Sequence, residues 1–537
     1  MSVANPRVLA REAVISTVVA ASLASILVWL GPPGVDLAAH AYQRTFLIQH
    51  GFAVWNNFWY AGRYTFVNYS LIYYPLAALL GIKVLAVTTV AAAAFAFTLV
   101  ALQQWGLEAR LSSRSFAVLW AGIVLSAAFP FALAAAFALL SLWALQSGRR
   151  GRFAVLALLC LAASPLAFVL LGVLLGGVAL SRGSLRDVRL PLVIMVGGGL
   201  VELAIYRLFA DPGQFPFGVW QFAAAVVFCS IGVAVTWNVA SARPLHGLFW
   251  VYGAACLVVF AVPSTVGSNI ERIRFAALPI ALLAVSLRRW RPLRLVVPAI
   301  VLAAIWNLTP IVSSYARATA DPSGRQAYWQ PAIGYLHAHL SPSFRVEAVD
   351  TADHWAAAYL PDAGIPIVRG WYRQADFPLN ELLYDHPLHR NAYQAWLRKL
   401  GVRYVVLPDA TPDYSSRQEA LLIRTGRSGL VPVFRSKHVS VYELPNARSV
   451  VVGPGLASVQ WLWPARVVFA VDKPGDYRVA FRWSPYWRTR QGCVSEERNG
   501  MVRLTVKHPG YVDLSMSPNI TRGLAALAGI SSKRRCG

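Results

Sequence analysis

The chain has 537 residues, of which 57% are hydrophobic and only 14% are charged. This composition excludes an ordinary water-soluble globular protein and is typical of a protein that crosses a membrane several times. The formal charge of +25 does not indicate nucleic-acid binding, because much of the arginine lies in short loops between apolar segments. Arginine in such loops instead indicates which side of the membrane each loop faces.

Apolar segments long enough to enter a bilayer follow one another as far as residue 313. Pro130 and Pro165 stand between neighbouring segments, and each marks either a tight turn or a kink inside one longer helix. A crossing needs roughly 20 apolar residues. We therefore predict a transmembrane domain over 1–313 with about eleven helices, at 14–30, 83–104, 116–129, 131–147, 152–163, 165–180, 190–209, 219–240, 246–262, 275–287 and 295–312.

The distribution of basic residues predicts which side of the membrane each loop faces. With the amino terminus in the cytoplasm, most loop arginines fall on the cytoplasmic side, as the usual enrichment requires. The exceptions are Arg44, Arg63, Arg272 and Arg274. An odd number of crossings then places the C-terminal region outside the cytoplasm, so the sequence predicts a multi-pass protein of the cell membrane.

The sequence pattern after the last crossing predicts two further domains. Residues 314–448 alternate helical pattern, in Trp329–Leu340 and Asn391–Leu400, with strand-like runs, which predicts an α/β domain. Residues 449–520 form short alternating strands separated by Pro-Gly and Asn-Gly turns, which predicts a β-sandwich. Residues 521–537 are a tail.

The first outer loop, residues 31–82, contains the strongest candidate for a catalytic residue. Asp36 follows Gly-Pro-Pro-Gly, where the first membrane helix leaves the bilayer, and begins a predicted helix that ends at Gly51. Asp36, His40 and Arg44 recur at four-residue intervals, so they share one helical face. Asp36 is either the cap of this helix or a reactive carboxylate above the membrane.

Aromatic residues with polar tips crowd the rest of this loop. The candidates for sugar or lipid binding are Trp55, Trp59, Tyr60 and Tyr73. Tryptophan and tyrosine are enriched at membrane interfaces, so an aromatic belt is the simpler explanation. A surface that stacks a sugar ring or packs an isoprenoid tail is compatible with it.

A second candidate site lies between the ninth and tenth predicted crossings. Arg272 and Arg274 stand on the outer side, against the charge rule. Guanidinium groups bind phosphate oxygens in a bidentate way, so these two can hold the phosphate of a lipid-linked substrate, with Arg44 as a further donor. The alternative is a contact with lipid headgroups or an ion pair with Glu271.

Metal and cofactor sites have little support in the sequence. Asp350, Asp353 and His354, and the pair His386 and His389, resemble parts of metal sites but lack a diagnostic spacing, so solvated polar turns are favoured. We predict no cofactor, and a divalent metal is not supported. Cys493 and Cys536 can pair if both lie outside the cytoplasm, and a loosely tethered tail is the alternative.

Three stretches of the sequence resemble known membrane proteins. They are Asp36-Leu37-Ala38-Ala39-His40 through Trp55-Asn56 to Tyr73-Tyr74-Pro75, then Arg369-Gly370-Trp371-Tyr372-Arg373-Gln374-Ala375-Asp376, and Gly401-Val402-Arg403-Tyr404-Val405-Val406-Leu407-Pro408-Asp409. These resemble bacterial membrane proteins described as 6-pyruvoyl-tetrahydropterin synthase-related. With its first-loop acid and large outer domain, the whole chain resembles the GT-C class of membrane glycosyltransferases.

The GT-C resemblance implies a reaction and its partners. It implies inverting transfer of a sugar from a polyprenyl-phosphate donor to a glycan or lipid acceptor of the cell envelope. The matching base is Asp36, for which we predict His40 as the orienting neighbour and Arg272 with Arg274 as the phosphate clamp. Some relatives carry two adjacent acids where this chain has one, so metal dependence is not implied.

A non-catalytic function is the alternative. The chain would then be a membrane scaffold or a glycan-binding protein of envelope assembly. Aromatic residues of the outer β-rich segment suit carbohydrate stacking in either case, namely Trp461, Trp463, Trp483, Tyr486 and Trp487. A transporter is disfavoured because few ionisable groups lie within the predicted crossings.

The topology is testable with a Tyr315→Cys reporter just after the last predicted crossing. A membrane-impermeant thiol reagent should label it from outside the cell, because the basic loops place this position beyond the outer face. A reporter in the 149–152 loop is the control and should label only after the membrane is opened. Cytoplasmic labelling of Tyr315→Cys would overturn the predicted orientation.

Overall fold

The computed structural model describes residues 6–182, 185–211, 213–384 and 387–527. Contacts divide the chain into two compact units. Unit 1 is built from the described parts of Met1–Leu37, Tyr69–Leu203 and Gln214–Thr319. Unit 2 is built from those of Ala38–Asn68, Ala204–Gly213 and Ala320–Gly537. The predicted domain boundaries at 313, 448 and 520 stay predictions.

In the described residues unit 1 is built of helices, and unit 2 contains both helices and strands. In chain order the α-helices of the described residues are α1 Pro6–Leu30, α2 Leu37–His50, α3 Tyr73–Leu80, α4 Ile82–Trp105, α5 Arg110–Trp120, α6 Ile123–Ser126, α7 Phe129–Gln146, α8 Arg150–Ala163, α9 Pro165–Arg182, α10 Leu185–Leu208, α11 Val219–Thr236, α12 Arg243–Ala261, α13 Ala277–Leu287, α14 Leu293–Ala320, α15 Gln326–His339, α16 Ala356–Asp362, α17 Arg373–Leu379, α18 Arg390–Lys399, α19 Arg417–Arg424 and α20 Ile520–Leu527.

Within the described residues, seven segments are long and apolar enough to cross a membrane. They are Pro6–Leu30, Ile82–Ser126, Phe129–Gln146, Val188–Leu208, Val219–Thr236, Ala240–Ala261 and Leu293–Ala320. The predicted multi-pass helical fold is therefore confirmed. Ten of the eleven predicted segments fall mainly on one helix each, whereas 116–129 covers the end of α5, the four-residue α6 and the breaks around it. Of the ten, α8 has 14 residues and α13 has 11. Both fall below the roughly 20 residues of a full crossing, so the count of eleven stays a prediction.

The two prolines between predicted segments begin new helices and do not kink longer ones. Pro130 is the second residue of α7, and Pro165 is the first residue of α9. Proline has no amide hydrogen to donate, and the first turn of a helix is where that donor is not needed. Ser164, between α8 and α9, is extended.

A buried ion pair joins the starts of α1 and α5 in unit 1. Glu12 is only 1% exposed, and its carboxylate accepts two hydrogen bonds from Arg114, Nε at 2.9 Å and Nη2 at 3.0 Å. Arg110 Nε lies 2.8 Å from the same carboxylate. Since Glu12 and both arginines meet, the basic residues near positions 11 and 110 lie at one end of unit 1, as the predicted topology requires.

Strands form one short ribbon and three larger sheets, all within unit 2 as far as the structure is described. In chain order they are β1 Trp55–Asn56, β2 Arg63–Tyr64, β3 Arg345–Ala348, β4 Val402–Pro408, β5 Val431–Arg435, β6 Val439–Glu443, β7 Val451–Val452, β8 Ala457–Trp463, β9 Arg466–Val471, β10 Gly475–Arg482, β11 Trp487–Arg488, β12 Gly492–Glu496, β13 Met501–Val506 and β14 Gly510–Met516.

The predicted fold class of the C-terminal region, an α/β part followed by a β-sandwich, is confirmed. One sheet has the order β3-β4-β6-β5, with β3 and β4 parallel. The helices α15, α18 and α19 alternate with its strands along the chain. Two antiparallel sheets, β12-β13-β10-β7 and β11-β14-β9-β8, make the sandwich. The predicted turns fall between its strands, where Gly475 has φ 133° and Gly500 has φ 75°. Glycine suits these positions because it has no Cβ to clash at positive φ.

Aromatic residues of the first outer loop belong to the core of this sandwich. Trp55 and Tyr64 pack in one hydrophobic cluster with Phe469, Tyr477 and Trp487. Tyr64 Oη also shares a 2.8 Å hydrogen bond with Ser484. Burial of such large rings is a strong stabilising contribution, which explains why residues 38–68 group with the C-terminal region.

Candidate functional site

Asp36 is held by its backbone against the turn between α6 and α7. The amides of Val35 and Asp36 donate to the carbonyls of Leu125 and Ser126, each at 3.1 Å. Gly34 allows this approach, because a Cβ there would lie 2.6 Å from the Cβ of Ala127. Any side chain at position 34 would therefore displace the segment that carries Asp36.

The predicted helix after Asp36 is confirmed as α2, Leu37–His50. Asp36 lies in the turn that directly precedes α2, and Gly51, with φ 65°, follows the helix. The side chain of Asp36 is partly exposed. This position suits a helix cap, and the residue is not buried, so cap and base both stay predictions.

The segment 126–131 of unit 1 contacts three of the predicted site residues. The carbonyl of Ser126 accepts from Asp36, as above. The ring of Tyr73 stacks on Phe129, with centroids 6.4 Å apart and planes 17° apart. The guanidinium carbon of Arg272 lies 5.1 Å from the ring centroid of Phe131. Residues from the first loop and from the loop before α13 thus converge on the start of α7.

Arg272 and Arg274 lie in a 3-10 helix, Gly267–Ala276, between α12 and α13. Arg272 Nε donates to Asn269 Oδ1 at 3.2 Å. Arg274 Nη1 lies 3.7 Å from Glu271 Oε2, so the alternative of an ion pair is realised for Arg274. Both arginine side chains are partly exposed. Their predicted phosphate contact stays a prediction.

The other predicted residues lie in unit 2. His40 is 0% exposed on α2, and Arg44 is partly exposed. Trp59 and Tyr60 are also buried: Trp59 Nε1 donates to the carbonyl of Ala357 at 2.9 Å, and Tyr60 Oη donates to that of Tyr372 at 3.0 Å. These bonds give both rings a packing role.

Trp55 is 1% exposed, and its Nε1 donates to Asn57 Oδ1 at 2.8 Å. Tyr73, in unit 1, is also 1% exposed. Contact of Trp55, Trp59, Tyr60 and Tyr73 with sugar or lipid, and the site roles of His40 and Arg44, stay predictions.

Sequence reasoning missed a buried ionic network in the α/β domain. Arg369 binds Asp376 in a bidentate way, Nε to Oδ1 at 3.1 Å and Nη2 to Oδ2 at 2.7 Å. It also donates to the hydroxyls of Ser415 and Ser416 at 2.8 and 2.6 Å. Burial raises the pKa of Asp376, but the ion pair with Arg369 outweighs burial and holds the pKa below its usual value. Arg369 and Asp376, the two ends of the stretch quoted for the resemblance, thus form a buried ion pair with a structural role.

Two further carboxylates lie beside this arginine. Glu347 and Glu419 are both 0% exposed, and their oxygens lie 4.0 and 3.8 Å from Arg369 Nη1. Tyr393 Oη donates to Glu419 Oε1 at 2.7 Å. Burial, and then the proximity of Glu419, raises the pKa of Glu347; burial raises the pKa of Glu419 to about 7. Glu419 is therefore a buried carboxyl that titrates near neutral pH.

Two of the residues that resembled a metal site, Asp350 and His354, pair with each other beside an arginine ion pair. His354 Nδ1 and Asp350 Oδ2 form a short hydrogen bond, and Arg373 Nη1 lies 2.9 Å from Asp413 Oδ2. Among the described residues no three histidine, cysteine or acidic side chains are grouped to hold a metal. His386, and Cys536 of the predicted disulfide, lie outside the described residues.

The raised pKa of the buried Glu419 leads to a prediction about the pH dependence of stability. Its pKa is raised from 4.5 to about 7 in the folded chain. Its stabilising contribution is therefore full below about pH 4.5 and is lost as the pH rises to about 7, on the order of 3 kcal/mol. Glu419→Gln keeps the acceptor for Tyr393 and removes the titration. Relative to wild type, this variant should gain stability between pH 5 and pH 7.5, measured by unfolding in detergent micelles with tryptophan fluorescence.

The control for this measurement is Glu381→Gln, which changes an exposed glutamate of the same unit. Its stability relative to wild type should not change with pH in this range. A pH-independent difference between Glu419→Gln and wild type would contradict the assignment.

The chain is similar to several solved structures, including the following two. One is ArnT from Cupriavidus metallidurans in the apo state, at 14% sequence identity, with 81% of this chain and 98% of that chain covered and a TM-score of 0.38. Another is the archaeal oligosaccharyltransferase AglB from Archaeoglobus fulgidus in complex with an inhibitory peptide and a dolichol-phosphate, at 13% identity, 74% and 69% coverage and a TM-score of 0.37. No family model and no curated protein matches the chain. The resemblance to 6-pyruvoyl-tetrahydropterin synthase-related proteins stays a prediction.

Proposed function

We propose that this chain is an inverting membrane glycosyltransferase that uses a polyprenyl-phosphate sugar as donor and a glycan or lipid of the cell envelope as acceptor, on the outer side of the membrane. The observation that carries the proposal is the convergence of Asp36, Tyr73 and Arg272 on the segment 126–131 of unit 1. A carboxylate and a guanidinium are thereby anchored to one short stretch of chain near the end of the first membrane helix.

In the proposed reaction Asp36 takes the proton of an acceptor hydroxyl. The hydroxyl oxygen then bonds to the anomeric carbon from the side opposite the phosphate. The bond from that carbon to the phosphate oxygen breaks, and its electron pair leaves with the polyprenyl phosphate. A phosphate leaving group is a weak base, so one carboxylate base and one cationic site suffice.

Arg272 supplies the cationic site. Its Nε is held by Asn269, and its guanidinium rests over the ring of Phe131. A guanidinium fixed in this way loses little freedom on binding a phosphate, and it can donate to two oxygens at once. Arg274 adds a second positive charge, tempered by Glu271 at 3.7 Å. The roles of His40 and Arg44 in the same reaction are further parts of the proposal.

The proposal predicts that Asp36→Asn abolishes transfer. Loss of a catalytic base lowers the rate by roughly 10²–10⁴-fold. The variant keeps the backbone bonds to Leu125 and Ser126 and can still cap α2, so it should fold normally. The measurement is transfer of a radiolabelled sugar by protein in liposomes, with a panel of polyprenyl-phosphate sugars as donors.

The matched control is Glu108→Gln, an exposed acid of unit 1 in the 3-10 helix Gly106–Ala109. This variant should retain wild-type transfer. Transfer that survives in Asp36→Asn would show that Asp36 only caps the helix.

A further inference from the structure

Unit 2 contains a cavity of about 1240 Å³ that is open to solvent on one side. Its lining comes from several parts of unit 2: residues 55–64 of the first outer loop, the segment 207–211, Leu379 of α17, the sandwich between 482 and 517, and α20. Pockets for drug-sized molecules measure roughly 300–1,000 Å³, so this cavity has room for an oligomeric ligand. None of its features entered the site proposed above.

Arg63 lines this cavity as a buried cation that is only partly satisfied. It is 6% exposed, and its Nη2 donates to Asp211 Oδ2 at 3.0 Å. Its guanidinium carbon lies 3.8 Å from the ring centroid of Tyr372. Nε and Nη1 have no hydrogen-bond partner among the described residues. Buried polar groups are nearly always paired, and neither nitrogen is exposed, so Arg63 keeps an incompletely neutralised positive charge beside the cavity.

A strained turn presents this arginine. Tyr60, Ala61 and Gly62 have φ of 57°, 56° and 108°, three left-handed residues in a row. Two of the three carry a Cβ, and such positions are costly unless the surroundings enforce them. The amide of Arg482 donates to the carbonyl of Ala61 at 2.8 Å. The fold thus maintains a strained backbone immediately before Arg63.

The remaining charges of the cavity wall are predominantly positive. Arg482 is mostly buried, and burial lowers its pKa to about 10. Arg488 Nε is buried and has no partner among the described residues. With Arg63 and the exposed Arg207 and Arg490, five arginines line the cavity. Three acids also line the cavity: Asp211, Glu496 and Asp513. Asp513 forms an ion pair with Arg466 at 2.7 Å. The wall therefore favours an anion.

Aromatic rings complete the wall. Trp55, Tyr64, Trp483 and Trp487 all line the cavity. Trp55, Tyr64 and Trp487 are at most 3% exposed, so of these four it is Trp483 that offers a partly exposed ring to a ligand. An aromatic ring beside guanidinium groups suits a ligand that has both apolar ring faces and anionic oxygens. Sugar rings that bear carboxylate or phosphate groups meet this description, whereas a lipid tail does not match so many charges.

We propose that this cavity binds an acidic oligosaccharide, with an anionic group of one sugar attracted by the arginines that line it, Arg63 among them. None of Asp36, Tyr73, Arg272 and Arg274 lines this cavity, so the proposal stands whether or not the chain transfers a sugar. The anionic group of the sugar is a carboxylate or a phosphate, and guanidinium groups recognise both. In the test below, an acidic tetramer supplies carboxylates and inorganic phosphate supplies the other anion.

The test is isothermal titration of the full-length protein in detergent with tetragalacturonic acid. Maltotetraose is the neutral probe of equal length, and inorganic phosphate is the simple anion. The acidic tetramer should bind at least tenfold more tightly than the other two. Equal binding of all three, or absence of acidic-tetramer binding at millimolar concentration, would overturn the proposal. So would binding of anionic lipid vesicles that displaces the tetramer.

Variants locate the binding. Arg63→Gln should weaken tetramer binding at least tenfold, and the double variant Arg488→Gln with Arg490→Gln should do the same without touching the buried pair with Asp211. Arg427→Gln, an exposed arginine of unit 2 outside the cavity, should bind like wild type. Trp461→Ala removes an exposed ring of β8, 53% accessible, and should also have no effect. Loss of binding in Trp461→Ala, with the double arginine variant unchanged, would place the ligand elsewhere.

Discussion

Two backbone hydrogen bonds, from the amides of Val35 and Asp36 to the carbonyls of Leu125 and Ser126, fix the point on which the proposed chemistry depends. Inside a membrane helix every backbone group has a partner, but a chain that leaves the helix must find new ones. The two prolines before Gly34 carry no amide hydrogen, and Gly34 allows a close approach to the neighbouring turn. The backbone of Asp36 is therefore fixed while its side chain stays partly exposed.

The arginines of unit 2 separate into structural and binding groups by how fully they are satisfied. Arg369 is surrounded by a bidentate carboxylate and two hydroxyls, so nothing remains for a ligand. Arg63 has one carboxylate, and two of its nitrogens are unpaired among the described residues. Burial alone does not distinguish the two, since both are less than 10% exposed. The difference lies in the partners, and in a cavity beside Arg63 that a ligand can enter.

Local patterns predicted much of the fold because they depend on neighbours in the chain. The α15 helix, the β4 strand and the Pro-Gly and Asn-Gly turns of the sandwich are such cases. The charge rule also singled out Arg63 and Arg272 as exceptions. It could not identify their partners, because Asp211 is 148 residues from Arg63 in the chain. The burial of Trp55 in the sandwich core likewise depends on distant strands, so its aromatic pattern indicated a surface.

The central claim is that Arg272 holds the phosphate of a lipid-linked donor while Asp36 serves the acceptor hydroxyl in the same space. The most direct measurement is a cryo-EM map of the protein in nanodiscs with bound polyprenyl phosphate. We expect the phosphate to lie against the guanidinium of Arg272, beside the segment 126–131, with the carboxylate of Asp36 facing the same space. A phosphate bound away from Arg272, or an Asp36 side chain turned onto the first amides of α2, would contradict the account.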